Sequence, residues 1–83
     1  MNIYSIYDSV VKAYQTPFFL VNRGHAIRSV SDLFRTDNEI SRNPQDYILY
    51  QLGEYNEQSG QIKSFESPEK ICHINELDPN TKS

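Results

Sequence analysis

The stretch that decides the fold is Tyr47-Ile48-Leu49-Tyr50-Gln51-Leu52-Gly53-Glu54-Tyr55-Asn56, followed by Glu57-Gln58-Ser59-Gly60 and then residues 61–65. β-Branched and aromatic residues crowd the first ten positions, which suits a pleated, half-buried surface better than a helix. Residues 57–60 are hairpin-loop chemistry, with Gly60 free to take a positive φ, and residues 61–65 return as the partner strand. Alternation along the long strand puts Ile48, Tyr50 and Leu52 on one face and Tyr47, Leu49 and Tyr55 on the other. Neither set is polar. A sheet built on this hairpin needs cover on both sides.

Working outward, residues 2–8 read as a strand carrying Ile3, Tyr4, Ile6 and Tyr7, and Asp8-Ser9 suggests a turn. Residues 13–21 supply its antiparallel partner; Pro17 cannot donate to a ladder and belongs at a strand start, a bulge or an edge. Beyond Asn22-Arg23-Gly24, the residues Ala26, Ile27, Val30, Leu33 and Phe34 recur as one stripe of an α-helix. The spacing predicts a helix over 23–36 with Asn22 as N-cap. A polar loop follows over 38–45, closed by a tight turn or single helical turn in which Asn43 caps and Pro44 comes first. Ser67-Pro68-Glu69 resembles a helix start, with Ile71, Ile74 and Leu77 on one face. The expected class is α+β: a four-stranded antiparallel sheet in the order β-β-α-β-β, one helix on one face, and room for a short C-terminal helix.

The chain of 83 residues makes one domain, read as residues 1–77, with a disordered polar tail over 78–83. A domain this small buries only part of its surface, so association with a second copy is a natural remedy. The single cysteine, Cys72, excludes an internal disulfide and fits a reducing compartment. The N-terminus lacks the pattern of a signal peptide, and the longest apolar run, Phe18-Phe19-Leu20-Val21, is far too short to span a bilayer. A soluble intracellular protein with no membrane partner is expected. Net charge is −3, distributed unevenly: residues 1–45 hold five bases against four acids, residues 46–83 three bases against seven acids.

No catalytic pattern is present. His25 and His73 stand far apart, and Cys72-His73 are adjacent, which serves a metal poorly. Phosphate loops, nucleophile elbows and zinc-protease motifs are missing. We therefore expect no enzyme, no metal and no cofactor. Two patterns remain. Arg23, Arg28, Arg35 and Arg42 form a basic group on and after the helix, suited to phosphate contacts; alternatively Asp32 pairs with Arg28 and Arg35. Tyr4, Tyr14, Tyr47, Tyr50 and Tyr55 suit either stacking on unpaired bases or packing in an interface. One helix covers one face, so a second subunit is expected on the other, with nucleic acid on the arginine side.

The string Ile3-Tyr4-Ser5-Ile6-Tyr7-Asp8, then Pro17-Phe18-Phe19, then Gly24-x-Ala26-Ile27-Arg28 with Asp32, resembles a family of small phage proteins. The segment Asn43-Pro44-x-Asp46-Tyr47-x-Leu49-Tyr50-x-x-Gly53-Glu54-Tyr55, with Gly60, is the most specific part of that resemblance. The family is the nonstructural protein of gokushoviruses, single-stranded-DNA phages of the microvirus group. The resemblance runs over residues 3–65. It implies a protein of the host bacterial cytoplasm, outside the mature virion, accessory to viral DNA replication at the switch from duplex replicative form to single strands. DNA, or a phage or host replication protein, would be the partner. The alternative is a homodimeric interaction module docking on a replication or capsid-assembly protein.

Overall fold

The computed structural model describes residues 1–79. The elements are β1 (Asn2–Asp8), β2 (Ala13–Tyr14), β3 (Phe18–Leu20), α1 (Arg23–Ser31), α2 (Glu39–Arg42), β4 (Tyr47–Tyr55) and β5 (Ile62–His73), with 3-10 turns at Asp32–Arg35, Pro44–Asp46 and Ile74–Leu77. The class is α+β and the sheet is antiparallel throughout, in the order β2-β1-β4-β5 with β3 also on β1. The sheet has five strands rather than four. The expected strand over 13–21 divides at Thr16-Pro17, and its two pieces lie in line along the same edge of β1. Pro17 falls in that break, where a missing N–H costs no ladder bond.

The two hairpins are built alike. In the first, Asp8 Oδ1 accepts from the Val10 and Val11 amides at 2.9 and 3.3 Å, and Asp8 O accepts from Lys12 N at 2.8 Å. In the second, Asn56 Oδ1 accepts from Gln58 and Ser59 at 2.9 and 3.2 Å, and Asn56 O accepts from Gly60 N at 2.8 Å. Both loops need a left-handed residue at the same place. Gly60 supplies it at φ 77°, whereas Lys12 supplies it at φ 60° with a Cβ in the way.

Asn22 caps α1, accepting from His25 N at 2.9 Å. The helix is shorter than 23–36, tightening to 3-10 geometry at Asp32. Its stripe packs as expected: Ala26 and Val30 are buried, with Ile27, Leu33 and Phe34 partly buried beside them. Residues 38–45 are more ordered than a loop. Asn38 caps α2, exchanging hydrogen bonds with Ser41 at 2.8 and 2.9 Å. Asn43 stands at the cap position of the following turn with Pro44 first, as expected, and its side chain makes no capping hydrogen bond there. The core lies between the helices and one sheet face: Tyr4, Ile6, Tyr47 and Leu49 against Ala26, Val30, Ile40 and Ile74. Each of the Val, Leu and Ile side chains contributes about 1.5–3 kcal/mol on burial.

β5 overturns the expected helix start at Ser67-Pro68-Glu69 and leaves the short C-terminal helix only its last turn. Residues 67–73 stay in the strand, and only Ile74–Leu77 turn helically. Against β4 the ladder skips: Gln51 pairs with Glu69 and Gly53 with Ser64, so residues 65–68 bulge out opposite Leu52 alone. Pro68 sits in that bulge, free of ladder duty. At the same point the backbones press together. A Cβ at Gly53 would strike the Lys63 carbonyl oxygen and lie 3.0 Å from Ser64 Cα.

Candidate functional site

The bulge at Leu52 also interrupts the pairing of β4 with β1, where Ile3 pairs with Gly53 but Tyr4 with Gln51. One extra residue exchanges the faces beyond it. Tyr55 therefore joins Tyr50 on the face away from the helix, not Tyr47 and Leu49 as alternation implied. The registers place Tyr14, Tyr7, Ile48 and His73 in one row across this open face, then Ser5, Tyr50 and Lys70. Phe19, Ile3, Gly53 and Ser64 form the next row, with Tyr55 and Ile62 beyond.

The rings gather at two ends. Tyr7, Tyr14 and Tyr50 form a triangle with centroids 4.8, 6.0 and 5.6 Å apart, the two pairs involving Tyr50 edge-to-face. Phe19 meets Tyr55 edge-to-face at 5.5 Å. Ser5, in the row of Tyr50, and Gly53 and Ser64, in the row of Phe19, raise no ring where the two clusters meet. Ser5 is fully buried and donates to Gln15 O at 2.7 Å, tying the end of β2 to β1. Tyr14 and Phe19 remain 44 % and 40 % exposed, so part of each side chain is open to solvent. Partial desolvation, then the neighbouring Tyr50 and Tyr7, raise the Tyr14 pKa above its ordinary value, which keeps the phenol neutral at physiological pH.

Charge separates as the rings do. The chain carries eleven acids, yet no ladder position of the open face is acidic. Lys70 and His73 occupy it instead, and Lys12 adjoins Tyr14 through the first hairpin loop. Asp8, Glu54 and Glu69 all fall on the helix side.

The five tyrosines read from the sequence split between the faces. Tyr4 and Tyr47 are buried in the core on the helix side, Tyr4 stacked on Phe18 and accepting from Asn2 Nδ2 at 3.0 Å. Burial first, then Asp8, Glu39 and Asp46, raise the Tyr47 pKa. Tyr14, Tyr50 and Tyr55 lie on the open face. Tyr7 joins them, opposite to Tyr4 and Ile6 as alternation implied, and so does Phe19, which its alternation with Phe18 could have signalled.

The arginines are less concentrated than their spacing suggests. Arg23 pairs with Glu69 at 3.0 Å, Arg35 with Asp32 at 3.4 Å and Arg42 with Asp37 at 3.6 Å. Asp32 thus serves one of its two candidate partners. Arg28 has no acidic partner among the described residues. Cys72 is half-buried, and burial followed by Glu76 pushes its thiol up, away from thiolate reactivity. Among the described residues, no helix is long and apolar enough to cross a membrane.

Fold and face together define a small α+β domain with one sheet face closed by helices and the other an open aromatic surface. Residues 1–77 match the Phage ORF5 protein family, and the chain belongs to that family of small phage proteins. The match ends where the Ile74–Leu77 turn ends. Comparison with curated proteins and with solved structures gives no significant match.

Proposed function

We propose that this phage protein binds single-stranded DNA in the host cytoplasm. It acts there as a non-enzymatic accessory to genome replication, at the switch from duplex replicative form to single strands, and stays out of the virion. The observation that carries this reading is the open face: aromatic, with every carboxylate kept off its ladder in a protein of net charge −3. Unpaired bases offer π-faces to such rings without regard to sequence. Phosphates are repelled from most of this acidic molecule and meet cations on this side. The helix side supplies at most Arg28 as an added phosphate contact, because carboxylates already engage Arg23, Arg35 and Arg42.

Fluorescence anisotropy with labelled single- and double-stranded oligonucleotides tests the reading. Single strands should bind and duplexes should bind at least tenfold more weakly. The salt dependence should be shallow, a slope near −0.7 for each of about two or three phosphates contacted. Absence of single-strand binding even at low salt would remove the proposal. A protein-directed reading rests on a separate feature, Val10 and Val11, each 67 % exposed at the tip of the first hairpin. They suit contact with a phage or host replication protein. Val10→Ser with Val11→Ser should then lower replication in infected cells while leaving oligonucleotide binding intact.

A further inference from the structure

Resting on the reading that single-stranded DNA is the ligand, we infer that the open face is a two-platform site. One stretch of unpaired bases stacks at both Tyr14/Tyr50 and Phe19/Tyr55, and the intervening nucleotides cross a ring-free strip beside Lys70. Tyr50, level with Ser5, stands two residues of β1 from the Phe19 row, whereas Tyr14 and Phe19, opposite Tyr7 and Ile3, are four residues apart. At about 3.3 Å per residue Tyr14 and Phe19 lie roughly 13 Å apart. Bases stacked as in duplex DNA repeat at about 3.4 Å, so adjacent stacked bases do not reach from Tyr14 to Phe19. Roughly four nucleotides span them.

The strip between is kept low by its residues. Ser5 adds only a short side chain, covered by its neighbours and bonded to Gln15 O, and Gly53 admits no side chain against β5. Lys70 stands opposite Tyr50 at the margin of this strip, where a phosphate leaving the first platform would pass. The face fits a second copy less well. Four strands about 4.8 Å apart, the central two of seven and nine residues and so about 23–30 Å long, give a flat footprint of roughly 450–600 Å². A stable complex buries about 800 Å² on each partner. Face-to-face pairing of two copies would also bring together two copies of Lys70, like charges with no acid at a ladder position of the face to offset them. The sheet edges do not compensate, because one is broken at Thr16-Pro17 and the other carries Lys63, Glu66, Pro68 and Lys70.

The test is a length series of oligo(dT), from two to twelve nucleotides, read by quenching of tyrosine fluorescence; the chain has no tryptophan to mask it. Affinity should climb at least tenfold between two and about six nucleotides, as the second platform engages within one ligand, then flatten. Phe19→Ala should abolish that step, leaving dT6 within about threefold of dT2, while Phe19→Tyr restores it. Circular dichroism establishes that each variant is folded. If wild type binds dT12 but affinity rises evenly with length and ignores Phe19→Ala, the two-platform site is wrong and single-strand binding stands. If no oligonucleotide binds, both fall. A stable dimer in sedimentation that Phe19→Ala returns to monomer would assign the face to a second copy and overturn the inference.

Discussion

One sheet presents two aromatic faces, and the protein treats them oppositely. On the helix side Tyr4 and Leu49 are wholly buried, Tyr47 nearly so, and a phenol finds its partner in Asn2. On the other side Tyr14, Phe19 and Ile62 keep 40 to 60 % of their surface in water. Composition does not distinguish the faces, since both are built from Tyr, Phe and Ile. Cover does. The difference teaches that tyrosine content alone says nothing about a binding surface until the register assigns each ring a side.

The comparison breaks if the two faces respond alike to truncation. Leu49→Ala should cost about 2–5 kcal/mol in chemical denaturation, since it empties a closed core. Phe19→Ala should cost under about 1 kcal/mol, because its ring is already in partial contact with water, yet it should remove the length step in oligonucleotide binding. Comparable losses of stability would mean the open face is covered in solution. The next largest effect tests the close approach beside the bulge that exchanges the faces. Gly53→Ala should destabilise by about 1–3 kcal/mol, because the new methyl meets the Lys63 carbonyl and forces β4 and β5 apart.

Two smaller effects sharpen the picture. Lys12→Gly should stabilise by about 0.5–1 kcal/mol by relieving a left-handed lysine beside Tyr14, whereas Gly60→Ala in the equivalent loop should cost about 1 kcal/mol. Thermal melts of both variants read this out. The buried Tyr47 introduces a pH dependence. Its folded pKa lies above the ordinary 10.0, so its neutral form is favoured in the native state. Its contribution is fully present below about pH 10 and is lost as pH rises through the folded pKa. Tyr47→Phe should flatten that alkaline decline, measured by urea denaturation from neutral pH to pH 11.

The local grammar of the chain made most of the fold readable. The 47–65 hairpin, the Asn22 cap and the Ala26–Phe34 stripe all follow from residue type and spacing, and each is present. What escaped was set by tertiary pairing. The Leu52 bulge leaves no mark in the alternation, yet it moves Tyr55 to the other face. Ser67-Pro68-Glu69 carries the local chemistry of a helix start, but pairing of residues 69–73 with β4 holds the chain extended, and the bulge absorbs the proline. The candidate site suffered the same limit. Sequence spacing placed Asp32 within reach of two arginines, but it could not foresee Glu69 arriving from β5 to engage Arg23. The basic group seen in the sequence is largely neutralised in space.

The most direct test of the open-face account is photocrosslinking of the intact protein to single-stranded DNA carrying 5-iodouracil, with adducts located by mass spectrometry. Adducts on Tyr14, Tyr50, Phe19 or Tyr55 are the expected result. Adducts confined to the helix side around Arg28, with those four rings unmodified, would contradict it.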